Sequence, residues 1–171
     1  MPSGVFAQGS DTLKIGLIGC GGRGTDAIRN AFDADKGVVL WAMGDVFQDH
    51  LDGSVKAIEG LNKPDQFKVP SDRRFVGFDA YQKVIASGCD LVILTTPPNF
   101  RPVHLKTAIE AGKHVFLEKP VAVDGPGIRS VFESSDLAKT KGLSIVAGTQ
   151  RRHDLAYNEC MKRIHDGEMG D

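Results

Sequence analysis

An apolar run, Leu13-Lys14-Ile15-Gly16-Leu17-Ile18, passes directly into Gly19-Cys20-Gly21-Gly22-Arg23-Gly24 and then into a helical pattern over residues 25–32. A strand can turn at once into a closely packed helix only where the backbone is free of Cβ atoms. Gly19 permits the tight turn, Gly21 lets the backbone approach a pyrophosphate, and Gly24 lets the helix lie against the strand. Gly22 and Arg23 complete the turn, and Arg23 reads either as a phosphate contact or as a solvated first-turn side chain. The helix opens with N–H groups that lack intrahelical acceptors and with the positive end of its dipole, both of which suit phosphate. A second apolar strand over residues 38–44 is followed by Asp45, about twenty residues beyond the last glycine. There a carboxylate accepts both ribose hydroxyls of an adenosine and repels a 2′-phosphate, so the pattern implies NAD, with NADP the weaker alternative. Cys20 inside the turn reads as a small filler rather than a reactive thiol.

Strand and helix alternate from Leu13 to Ala147, which predicts an α/β fold: a doubly wound parallel sheet of six strands with helices on both faces. Strands are expected at 13–19, 38–44, 75–78, 91–94, 115–117 and 143–147. Helices are expected at 25–32, 47–59, 80–87 with Asp79 as cap, 102–111 closed by Gly112, 131–141 and 154–165. Residues 60–74, with Pro64 and Pro70, read as an irregular insertion. The fourth strand delivers Thr95-Thr96-Pro97 to the carboxyl edge of the sheet, where ligands bind in open α/β folds. The fifth delivers Glu118-Lys119-Pro120 to the same edge, and Gln150-Arg151-Arg152-His153 follows the sixth.

The chain is long enough for one well-buried domain, over residues 13–171, and short for two. Its 21 Lys and Arg against 22 Asp and Glu, with no basic cluster, argue against nucleic acid or a membrane surface as partner. Cys20, Cys89 and Cys160 are widely spaced and odd in number, which suggests neither a disulfide framework nor a zinc site. Residues 1–12 read as a separate leader. Val5-Phe6-Ala7 has the look of a signal-peptidase site, so the leader is either a disordered segment or the remnant of an export signal, and cytoplasm and periplasm both stay open.

Lys119 sits between an acid and a proline at the end of a strand expected to border the nicotinamide half of the site. It reads as a proton donor or acceptor if its surroundings lower its pKa, and otherwise as a solvated loop lysine. Glu118 is its ion-pair partner or a plain loop acid. The Lys119-Pro120 bond is a candidate for the cis form. His104 falls inside a predicted helix and His114 at a strand start, both poorly placed for chemistry, and His153 is the better histidine. No grouping has metal-ligand spacing, and no Gly-x-Ser-x-Gly turn occurs. Redox chemistry on a bound nicotinamide is what remains.

The run Ile18-Gly19-Cys20-Gly21-Gly22-Arg23-Gly24, with Thr96-Pro97-Pro98, Ala111-Gly112-Lys113-His114-Val115 and Glu118-Lys119-Pro120, resembles the Gfo/Idh/MocA family of sugar and inositol dehydrogenases. The resemblance implies a cofactor site made by the glycine turn, Arg23, Asp45, Thr95, Thr96, Pro97, Glu118, Lys119 and Gln150. It also implies Lys119 as the catalytic proton relay beside the substrate hydroxyl, with Arg152 on the substrate side. Arg101 stands where many members have a histidine, a departure from the family's pattern. Members continue past a turn like Gly167-Glu168-Met169-Gly170 into a substrate domain, which is absent from this sequence. The chain thus resembles the cofactor domain of a longer NAD-dependent dehydrogenase that acts on a secondary hydroxyl of a small sugar or polyol. On this reading the longer enzyme is a homo-oligomer and the domain alone is inactive. An NAD-dependent glycosidase that oxidises its sugar transiently, and a non-enzymatic dinucleotide sensor, are the alternatives.

Overall fold

The computed structural model describes residues 12–170, so the leader lies almost wholly outside the described residues. Among these residues six strands form one parallel sheet: β1 (Leu13–Ile18), β2 (Val38–Asp45), β3 (Arg74–Val76), β4 (Leu91–Leu94), β5 (His114–Leu117) and β6 (Ile145–Ala147). Their order is β3-β2-β1-β4-β5-β6. The winding reverses between β1 and β4, which opens a crevice at the carboxyl edge there.

The helices are α1 (Gly22–Ala34), α2 (Gln48–Glu59), α3 (Ala80–Ala86), α4 (Arg101–Glu110), α5 (Gly125–Lys141) and α6 (Leu155–His165). Ile28 and Phe32 of α1 and Leu51, Val55 and Ile58 of α2 pack with Ile15, Leu17, Leu40 and Met43 on one face. Val84 of α3, Leu105 and Ile109 of α4 and Ala138 of α5 pack with Ile18, Ala42, Val92 and Leu117 on the other. Leu40 and Ala42 lie on opposite faces although two apart, because the pairing with β1 slips between Ile15 and Gly16 and leaves Trp41 as an extra residue.

Several boundaries differ from the sequence expectation. Helix α1 starts at Gly22, and α5 starts at Gly125, six residues before expected, with Asp124 accepting the Gly127 N–H and a proline in the first turn. Asp79 occupies the cap position of α3 without making a cap hydrogen bond. Its carboxylate instead pairs with Lys83 at 2.7 Å, one turn on, and that ammonium holds its pKa below the usual carboxylate value. Residues 149–170 are exposed throughout, so α6 covers neither face of the sheet, and Val146 of β6 is 52% exposed. Helices therefore lie on both faces, but coverage thins toward β6.

The backbone ladder continues one residue beyond the strands. Gly19 N–H donates to Gly44 O (2.8 Å), Thr95 N–H to Ile18 O (2.9 Å), Glu118 N–H to Leu94 O (3.0 Å) and Gly148 N–H to Leu117 O (2.8 Å). These bonds set the residues that follow the strands in a row along one edge.

Candidate functional site

At the head of the row, Gly19 has φ +96°, and a Cβ there would stand 2.7 Å from the Thr96 nitrogen. Gly24 lies so close to the turn that its Cβ would fall 2.0 Å from Gly19 O. Thr95 locks this junction from β4, its hydroxyl donating to Gly19 O at 2.6 Å. By contrast a Cβ on Gly21 or Gly22 would meet nothing within 4 Å, and the cap residue Gly21 makes no side-chain cap bond. Open space thus lies before the first turn of α1, a cradle that fits a pyrophosphate.

Asp45 closes the second side. Its Oδ2 accepts the Cys20 N–H at 2.6 Å and its Oδ1 the Phe47 N–H at 3.0 Å, with the side chain only 9% exposed. Each oxygen keeps a lone pair, which fits a ribose diol. Cys20 is buried, and desolvation with the nearby Asp45 charge pushes its thiol well up, so it stays protonated.

Gly19, Gly21, Asp45, Thr95, Thr96 and Pro97 line one cleft of about 530 Å³. Its remaining wall is largely apolar: Phe47 and His50 from the start of α2, Phe78 and Tyr81 beside α3, and Phe100, Val103 and His104 from α4. No local motif in the sequence marks this wall, and the structure puts His104 on it rather than away from the site. That histidine is 7% exposed, stacks on Tyr81 with centroids 4.2 Å apart, and places Nδ1 3.2 Å from the Thr96 hydroxyl. Burial lowers its pKa to about 4, so the ring is neutral near pH 7. The signal was available, since Arg101, His104, Leu105 and Ala108 share one helical stripe.

Arg23 and Glu118 engage each other. The guanidinium Nε lies 2.7 Å and Nη2 2.5 Å from Glu118 Oε1, and the carboxylate is buried. Glu118 therefore pairs with Arg23 rather than with Lys119. Arg101, also buried, donates to the carbonyl of Pro120, and the Lys119-Pro120 bond is cis. Lys119 is exposed on this loop, and Gln150 and Arg152 are exposed in a short 3-10 turn after β6. None of these three lines the cleft. His153 is exposed, while His114 accepts the Ser144 N–H at 3.0 Å.

A glycine turn between strand and helix at a topological switch point, closed by an acid on the neighbouring strand, defines a dinucleotide-binding Rossmann domain. Comparison with known proteins narrows the class. The chain belongs to the Gfo/Idh/MocA oxidoreductase family with an NAD-binding Rossmann fold, whose family model matches residues 13–149. It is 28% identical over 159 residues to an inositol 2-dehydrogenase of Klebsiella pneumoniae, covering 93% of this chain and 43% of the relative. An inositol 2-dehydrogenase of Burkholderia lata is 30% identical over the same shares of the two chains. A scyllo-inositol dehydrogenase from Lactobacillus casei, solved with NAD(H) and scyllo-inositol, superposes with a TM-score of 0.71 at 25% identity, covering 94% of this chain and 43% of that one. The chain thus spans less than half the length of these relatives.

The two kinds of glycine separate by experiment. Gly24→Ala drives a Cβ into a backbone oxygen and is expected to cost about 3 kcal/mol, seen as a Tm lower by about 6–12 °C. Gly21→Ala is expected to cost under about 1 kcal/mol yet to remove NAD binding in calorimetry, because its methyl occupies the cradle. His104 carries a pH signature. Its folded pKa of about 4 lies below the unfolded value of about 6.5, so the unfolded chain binds more protons between them. Stability should fall as pH drops through that window, by up to about 3 kcal/mol, and urea midpoints of His104→Gln should show a flatter slope.

Proposed function

We propose that this chain is the cofactor domain of a dehydrogenase that oxidises a secondary hydroxyl of a small polyol or sugar, with NAD preferred to NADP. The observation that carries the reading is the Asp45 carboxylate, fixed by two backbone N–H groups at the cleft wall beside the open cradle of Gly21. A ribose diol gains two charge-assisted hydrogen bonds there, whereas a 2′-phosphate meets like charge. Gly22 and the α1 N-terminus hold the pyrophosphate, and Thr95, Thr96 and Pro97 flank the dinucleotide. NAD, when bound, supplies the hydride acceptor.

The proton falls to Lys119. Its Nζ takes it from the substrate hydroxyl, while Gln150 faces the nicotinamide end and Arg152 orients the substrate. Glu118 and Arg23 act at the cofactor edge through their ion pair, which ties the Lys119 loop to the glycine turn. Residues 13–171 make one domain in this reading. Further substrate contacts and the homo-oligomer contacts belong to a second domain, for which the 43% coverage of the relatives leaves room. The inositol dehydrogenases among those relatives favour net oxidation over both the glycosidase and the sensor.

Calorimetry with NAD and NADP tests the reading. Asp45→Ala should weaken NAD about 10- to 100-fold and NADP much less, in line with two lost hydrogen bonds to a charged acceptor. Equal losses would refute the ribose assignment. Lys119→Ala should leave both affinities within about twofold while ending polyol-dependent NAD reduction by the complete enzyme.

A further inference from the structure

His50 lies in the first turn of α2, and its Nδ1 stands 3.7 Å from Asp45 Oδ1. Its ring packs edge-on against Phe47, with centroids 5.3 Å apart, and its side chain is 51% exposed. Both His50 and Asp45 line the cleft. Asp45 cannot swing away to relieve a charge conflict, because each of its oxygens is held by a backbone N–H from a different segment. The carboxylate therefore stays beside the imidazole whichever charge the ring carries.

We propose that His50 sets the discrimination between NAD and its 2′-phosphorylated form according to pH. This inference rests on the reading above, in which Asp45 takes the adenosine ribose. With the imidazole neutral, Asp45 presents an uncompensated negative charge to a 2′-phosphate and NADP is disfavoured. With the imidazole protonated, the corner carries no net charge and the exposed imidazolium offers the phosphate a donor, so NADP is admitted.

Among the described residues, no other neighbour competes for this role. Asp45 is the charge on β2, and the Cys20 thiol of the glycine turn stays protonated. Across the cleft, Asp79 is paired with Lys83, Tyr81 stacks on His104, and burial keeps His104 neutral down to about pH 4. On α2 itself, Asp52 accepts from Gln48, and Asp49 is an exposed first-turn acid.

The test is the affinity of the full chain for NAD and NADP by calorimetry at pH 6.0 and 8.5, with circular dichroism confirming the fold at both. The wild-type NADP:NAD affinity ratio should rise on acidification about three- to tenfold more than it does in His50→Gln. His50→Gln retains the titration of the 2′-phosphate itself, so the comparison removes that contribution. His50→Lys, which keeps a cation at both pH values, should give the high ratio at pH 8.5 as well. An identical rise in wild type and His50→Gln, with a low ratio in His50→Lys at pH 8.5, overturns the role of His50 while leaving NAD binding intact. Absence of binding by either dinucleotide at both pH values overturns the cofactor-site reading and this inference with it.

Discussion

The contact between Gly24 and Gly19 O is the constraint on which the remainder of the site rests. It brings the axis of α1 so near β1 that the helix N-terminus stands at the reversal of the sheet order, level with Thr95 and Asp45. Had α1 been held off by a side chain, its first N–H groups would lie above the sheet rather than across the crevice. The Thr95 hydroxyl and the Thr25–Ser54 pair, 2.8 Å apart, brace the same junction from β4 and α2. Backbone proximity, hydroxyl bracing and the two cores act together: the helix is fixed in depth by glycine and in direction by apolar packing on Ile28 and Phe32.

A second organising element is the buried Glu118. It takes Arg23 from the glycine turn on one side, and Arg101 adds a favourable charge from α4 on the other. A buried carboxylate left alone would be costly, and the guanidinium partner offsets that cost. Gly148 makes room for it, since a Cβ there would fall 2.7 Å from Glu118 Oε1. The loop carrying Lys119 is thereby tied to three segments, α1, α4 and the end of β6. Arg101, in the place where the resemblance leads one to look for a histidine, holds this loop through the Pro120 carbonyl.

The alternation of strand and helix was legible because each element carries its own period, and the glycine turn with Asp45 was legible because both are local in sequence. What escaped was of two kinds. Gly125 and Gly127 mask the start of α5 through their low helix propensity, although Asp124 and Pro126 mark it. Asp79 makes no side-chain cap bond because a lysine four residues on competes for the carboxylate. The other kind is long-range: Arg23 and Glu118 are 95 residues apart, and nothing in one sequence pairs them. His104 lies inside a helix, where spacing puts it on the inward stripe, and only tertiary packing brings that stripe against Thr96.

The row along the sheet edge is held by main-chain hydrogen bonds, from Gly19 through Thr95 and Glu118 to Gly148. Gly19 and Gly148 admit no Cβ, and Thr95 and Glu118 are pinned by their own side chains, whereas Lys119, one residue past the row, is carried by the same main-chain frame with its side chain exposed. Chemistry and placement are thus decoupled at that one position. A lineage that exchanges this side chain inherits the old coordinates with a new functional group, and can change what it does to a ligand without first rebuilding its scaffold.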